Sequence, residues 1–151
     1  MLSFKDRKIN DEPYPETTEN IDQLFQAVNK QEYSSIFYLL NNKKVSSATV
    51  NYANKGRPSL LIECCQRTDE KLLQLMIRIE KNQLKTSYED VHGHRALWYA
   101  IEKNFLNGIH ELLENKLVDP NLHDTKTSLT PILQAIERKR TEVNLKLQMI
   151  R

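Results

Sequence analysis

Four apolar residues at nearly constant intervals constrain this chain more than any other feature. Leu24, Leu61, Leu97 and Ile132 follow one another at spacings of 37, 36 and 35 residues. A small residue recurs three positions after each, as Ala27, Cys64, Ala100 and Ala135, and an apolar pair recurs later in the first three intervals, as Leu39-Leu40, Met76-Ile77 and Leu112-Leu113. Three markers in one register describe a repeated pair of helices, because apolar residues at 3.6-residue spacing form one stripe on each of two short helices per interval. One such pair cannot bury its own stripes, so the pairs have to stack, and four exceed the roughly three that a stacked array needs.

The helix starts carry their own signals. Ser59 and Thr130 stand where a hydroxyl accepts a hydrogen bond from the free amides of a first turn, and Pro131 fits the first helical position, where no amide bond is lost. Thr18 or Asn20 is expected to cap the first helix. Ala or Cys at the small position lets neighbouring helices approach closely, while Leu and Ile fill the layer behind. Of only three glycines, Gly56 and Gly93 fall at junctions between pairs, where turns use positive φ.

The most faithful copy runs from Asp90 to Asp124. It reads Asp-Val-His-Gly-His-Arg-Ala-Leu-Trp-Tyr-Ala-Ile and closes on Asp119-Pro120-Asn121. Arg95 to Ala100 resembles the Thr-Pro-Leu-His-x-Ala helix start of an ankyrin repeat with its Leu and Ala kept, and Thr130-Pro131-Ile132-Leu133-Gln134-Ala135 restores the Thr-Pro. Val50-Asn51 is similar to the link that leads from one ankyrin repeat into the next turn. The resemblance covers about residues 20–151 and implies an all-α, ankyrin-repeat solenoid of stacked helix-turn-helix pairs. Repeats are expected near 20–53, 54–89, 90–123 and 124–151, in one domain over 18–151. Residues 1–17, with Pro13 and Pro15, read as a loosely ordered arm, and the residues in excess of 33 per repeat fall in loops such as 43–49 and 80–88.

The resemblance also implies a function. Ankyrin stacks bind other proteins through turn tips and the exposed side of the first helices, so no small-molecule substrate is expected. Carried over by position, that concave strip comprises Arg57, Gln66 and Arg67 in the second repeat, Val91, His92, His94, Glu102 and Lys103 in the third, and Thr125, Lys126, Glu137 and Arg138 in the fourth. The expected function is a non-catalytic interaction module with a protein partner, located in the cytoplasm. The alternative is a recruitment arm of a larger enzyme, or of a bacterial effector delivered into a host cell, that continues beyond Arg151. It is favoured by Val143, Leu147 and Ile150 sharing one face of the last helix.

Other chemistries find little support. The 22 basic and 20 acidic residues are interspersed, leaving a net charge of +2, so nucleic acid is not the expected partner. Arg138-Lys139-Arg140 reads as a solvated helix end. No Gly-rich phosphate loop, Gly-x-Ser-x-Gly elbow or His-Glu-x-x-His occurs. Cys64 and Cys65 occupy packed positions and are expected to be buried thiols, while His92 and His94 lack the helical spacing of a strong zinc signal. No cofactor or metal is therefore expected. Trp98 is expected in the packing, with Tyr99 on the exposed side. No apolar run approaches the roughly 20 residues of a membrane span, and Met1 to Lys8 lack the apolar core of a secretory signal.

Overall fold

The computed structural model describes residues 17–42, 44–46, 50, 58–80, 84, 86 and 88–149. Residues 1–16 of the arm expected over 1–17, together with Asn51, Gly56, Arg57 and Ile150, lie outside the described residues, as do most of the 43–49 and 80–88 loops. Among the described residues there are eight α-helices and no strand: α1 Thr18–Lys30, α2 Tyr33–Asn41, α3 Leu60–Arg67, α4 Glu70–Glu80, α5 Ala96–Glu102, α6 Leu106–Glu114, α7 Pro131–Glu137 and α8 Thr141–Met149. This part of the chain is all-α. Contacts divide the chain into two compact units, residues 1–49 and 50–151.

In the first unit α1 packs on α2, and the pair buries Leu24, Ala27 and Val28 against Ile36, Leu39 and Leu40. The cap is neither expected residue but Thr17, one position before Thr18 and three before Asn20. Thr17 supplies the oxygen, its Oγ1 accepting from the Asn20 N–H at 3.2 Å, which leaves the Asn20 side chain free to donate to the Lys44 carbonyl at 2.9 Å.

Among its described residues the second unit contains three helix pairs. Besides the contacts within each pair, α3 packs on α5 and α5 on α7, while α4 packs on α6 and α6 on α8. First helices thus form one layer and second helices another. Leu60, Leu61 and Cys64 of α3, Leu72, Leu73 and Met76 of α4, Ala100 and Ile101 of α5, and Ile109 and Leu112 of α6 are all almost completely buried. The expected caps are present: Ser59 Oγ accepts from the Ile62 N–H at 3.1 Å and Thr130 Oγ1 from the Leu133 N–H at 3.3 Å, with Pro131 in the first turn. Arg95, which replaces the capping hydroxyl before α5, makes no such bond.

Each pair is closed in the same way. After the first helix one residue takes a left-handed conformation: Gln31, Thr68, Asn104 and Lys139, with φ of 56°, 54°, 53° and 56°. The next amide then folds back on the carbonyl of the small marker residue, as Glu32 to Ala27 at 2.9 Å, Asp69 to Cys64 at 3.1 Å, Phe105 to Ala100 at 2.9 Å and Arg140 to Ala135 at 2.7 Å. The left-handed residues stand at the same spacings of 37, 36 and 35 as the apolar markers. The small residue therefore has two roles: its side chain permits close packing, and its carbonyl closes the helix end that would otherwise leave acceptors unpaired. Second helices repeat a closure as well, with Lys44 donating to Leu39 at 3.0 Å and Leu117 to Leu112 at 2.9 Å.

The last pair departs from the others. Val143 and Leu147, expected to share one face of the last helix, are fully buried. The uncovered apolar residues are instead Leu133, Ile136, Leu145 and Met149. Ile136 is 53% exposed, whereas Cys65 and Ile101 in the same register are 0% exposed. On α8, Asn144 and Gln148 occupy the positions that the buried Ile109 and Leu113 hold on α6, and they bond to each other at 3.0 Å.

Two kinds of substitution test this geometry. A left-handed backbone costs an L-residue about 1 to 2 kcal/mol and glycine far less, so Thr68→Gly or Lys139→Gly should raise stability by about 1 kcal/mol once the extra unfolded-state freedom of glycine is offset. Gly108 lies inside α6, where Ala should be favoured by about 1 kcal/mol, yet a Cβ there would land on the ring of Phe105, which is buried. Gly108→Ala should therefore lower the urea midpoint. The opposite sign in either case would show that the closure or the ring contact is not as described.

Candidate functional site

The second unit's turn tips are built from two aspartates. Asp90 Oδ1 accepts from the backbone N–H groups of His92 at 2.9 Å and His94 at 3.1 Å, and its own N–H donates to the His94 carbonyl at 2.9 Å. Gly93 sits in this turn at φ +78°, with Lys126 Cβ only 3.4 Å from where a side chain would begin. In the next turn Asp124 Oδ2 accepts from the Thr127 N–H at 2.8 Å and hydroxyl at 2.9 Å. Short polar side chains that hold their own turn amides stabilise such loops without a sheet.

Three lateral ties join the two turns. His94 Nδ1 lies 2.8 Å from Asp124 Oδ1; opposite an ionised carboxylate, which only accepts, this nitrogen carries the proton. Arg95 Nη1 donates to the His123 carbonyl at 2.6 Å and Nη2 to Glu89 Oε1 at 2.7 Å, and the Thr125 hydroxyl donates to the same Glu89 oxygen. Burial alone would raise the Asp124 carboxyl, but the bonds from His94 and Thr127 outweigh it and hold its pKa below the ordinary value.

An aromatic cluster supports the tips. The His94 ring stacks on Trp98 with centroids 3.7 Å apart and planes 10° apart, and Tyr99 meets Trp98 edge-on at 5.0 Å. Tyr99, expected on the exposed side, is buried. Its hydroxyl donates to Asp90 Oδ2, which satisfies the one polar group that would otherwise oppose burial. Desolvation, followed by this bond, raises the phenol well above its usual pKa. Trp98, expected in the packing, is half-buried and lines an open cleft with Val91, His92, Gly93, His94, Tyr99, Thr125 and Lys126.

Five residues of the expected contact strip, Val91, His92, His94, Thr125 and Lys126, thus surround one cleft. Val91 is 87% exposed and His92 is exposed. His94 lines this cleft while its stacking on Trp98 and its bond to Asp124 also give it a packing role. Glu102 is likewise engaged at the other end of α5: its carboxylate accepts from Gln134 Nε2 at 3.0 Å and Arg138 Nε at 2.6 Å, and its carbonyl accepts from Arg140 Nη2 at 2.7 Å. Lys103, next to Glu102, and Glu137, next to Arg138, are exposed, Gln66 is half-buried, and Arg67 pairs with Glu63 at 2.6 Å within α3. Arg57 lies outside the described residues.

Asp124 and Gln134, both buried, are network residues that the sequence reading missed. Asp124 had a signal, since it stands 34 residues after Asp90 at the start of the corresponding turn. Gln134 had none, because its donation to the Trp98 carbonyl at 3.0 Å depends on how α5 and α7 pack.

Cys64 and Cys65 are free, buried thiols as expected. Burial raises both pKa values, that of Cys65 to about 12, which withholds the thiolate that reactions and metals require. Cys64 Sγ donates to the Asp69 carbonyl at 3.1 Å. His110 is on the second-helix layer beside Lys146 and Glu114. Among the described residues no group of three His, Cys, Asp or Glu is placed to hold a metal ion, and no helix is long and apolar enough to cross a membrane.

The Asp124 network predicts a defined acid response. A carboxyl whose folded pKa is depressed contributes stability that is complete above its unfolded value, near 3.9, and that is lost as pH falls through the lower folded value. Urea melts of the parent and of Asp124→Asn should therefore differ by a constant amount above about pH 5 and converge in more acidic buffer. A difference that stays unchanged into strong acid would remove Asp124 from the network.

In comparisons with known proteins, no protein-family model matches the sequence and no curated protein gives a significant match.

Proposed function

We propose that the helix pairs of this chain are ankyrin-type repeats, and that the chain acts as a non-catalytic module binding another protein through its turn tips and the exposed side of its first helices. The observation that carries this reading is the cleft at the tips of the third and fourth repeats, where Val91, His92, Thr125 and Lys126 are exposed around a floor of His94, Trp98 and Tyr99. The floor is rigid because stacking and the Asp90 and Asp124 bonds fix it. A preorganised aromatic floor with exposed side chains at its rim suits protein recognition, since little ordering entropy is lost on docking.

The layered contacts support the repeat assignment. In the second unit first helices pack on first helices and second on second, and the left-handed closures recur with the marker spacing. The groups with shifted pKa values, Cys64, Cys65, Tyr99, Asp124 and Arg138, have shifts traced to burial and to turn or packing bonds. That pattern favours binding over acid-base chemistry.

The test is a surface variant, Val91→Asp with His92→Ala and Lys126→Glu. These positions carry no packing, so the variant should melt within about 0.5 kcal/mol of the parent and should lose the partner in a pull-down from cell extract. Glu111→Lys with Glu114→Lys, on the second-helix layer, should retain it. Loss with the second variant and retention with the first would place the interface elsewhere.

A further inference from the structure

The charges on this face are not used evenly. Its carboxylates are mostly committed within the protein. Glu63 pairs with Arg67 at 2.6 Å, Glu89 with Arg95 at 2.7 Å and Glu102 with Arg138 at 2.6 Å, while Asp90 and Asp124 hold their own turns. Glu137 is the exception, and it lies beside Arg138. The arginines thus neutralise the acids of the fold, as expected of a side chain suited to planar carboxylate pairing. Lys103, Lys126 and Lys139 are exposed and, among the described residues, make no side-chain hydrogen bond or ion pair. The face is left with a cationic surplus carried by exposed lysines, Lys126 at the rim of the apolar and aromatic cleft and Lys103 and Lys139 just past the far ends of α5 and α7.

From this distribution we propose that the module's partner is an acidic peptide segment in extended conformation, with an apolar or aromatic side chain seated against Val91 and Trp98 and carboxylates reaching Lys126 on one side and Lys103 or Lys139 on the other. The proposal rests on the binding reading above and adds the partner's chemistry. Spacing follows from the fold. Lys126 is at the turn tip and Lys103 is at the far end of α5, a helix of seven residues and so about 10 Å long. Lys126 lies against Gly93, three residues before α5 begins, which adds up to about 10 Å, and an extended chain advances about 3.3 Å per residue, so the two acids stand about three to six residues apart. Discrete carboxylates suit separate lysines better than a continuous phosphate backbone does, because a nucleic acid needs a contiguous basic track to neutralise successive phosphates. Opposite charge at the rim also accelerates encounter and makes it sensitive to salt.

The experiment uses the full chain as bait for a displayed library of random peptides, read by sequencing before and after selection. Selected peptides should be enriched in Asp and Glu, with an apolar or aromatic residue between two acids. A labelled copy of the most enriched peptide should bind Lys103→Glu with Lys126→Glu at least about tenfold more weakly than the parent, a change of about 1.4 kcal/mol, while the variant melts like the parent. Peptides selected without acidic enrichment, or bound equally by the charge-reversed variant, would overturn the acidic-partner proposal and leave the binding reading standing. Displacement of the peptide by single-stranded oligonucleotide at low stoichiometry would overturn it in favour of nucleic acid. Selection that enriches nothing would overturn both.

Discussion

The hydrogen bond from the amide that opens each second helix to the carbonyl of the small residue five positions earlier is the interaction on which the repeat depends. It forms only if the intervening residue adopts a left-handed backbone, and Gln31, Thr68, Asn104 and Lys139 all do so without being glycine. Holding L-residues there opposes folding by about 1 to 2 kcal/mol each. The buried residues on either side, such as Leu61 and Leu72 or Leu97 and Ile109, supply hydrophobic stabilisation that exceeds this strain. A helix pair closed in this way presents its two stripes in one fixed orientation, and layered packing of further pairs follows from that orientation.

The turns depend on the stack in the opposite sense. Asp90 and Asp124 fold their own loops through local bonds, yet the His94–Asp124 bond, the Glu89–Thr125 bond and the Arg95–His123 bond exist only because α5 and α7 lie side by side. Polar ties across neighbouring tips place an exposed rim on a fixed base. Where the ties end, in the last pair, the character of the surface changes: α7 leaves Ile136 uncovered while α8 turns Asn144 and Gln148 to positions that α6 fills with Ile109 and Leu113.

Much of the fold was legible in the residues themselves. The period of Leu24, Leu61, Leu97 and Ile132 located all four pairs, and the hydroxyls of Ser59 and Thr130 located two helix starts, because both signals act within a few residues of chain. The cleft was half legible. Val91, His92 and Lys126 could be placed at turn tips by register, whereas the packing role of His94 and the burial of Tyr99 required partners 30 and nine residues away. Glu102 reads as an exposed charge in sequence, and only the approach of α7 brings Gln134 and Arg138 onto it. Long-range polar pairs leave no periodic trace, so sequence pattern recovers packing more readily than networks.

Native-state hydrogen exchange on the four closing amides, those of Glu32, Asp69, Phe105 and Arg140, tests the repeated closure most directly. Each is bonded to a carbonyl at 2.7 to 3.1 Å, so each should be protected as strongly as amides in the middle of its own helix pair and should exchange with them in one cooperative opening. Exchange of these amides at the rate of an unstructured chain, with the helix interiors still protected, would contradict the account, because the helices would then stand without the closure said to orient them.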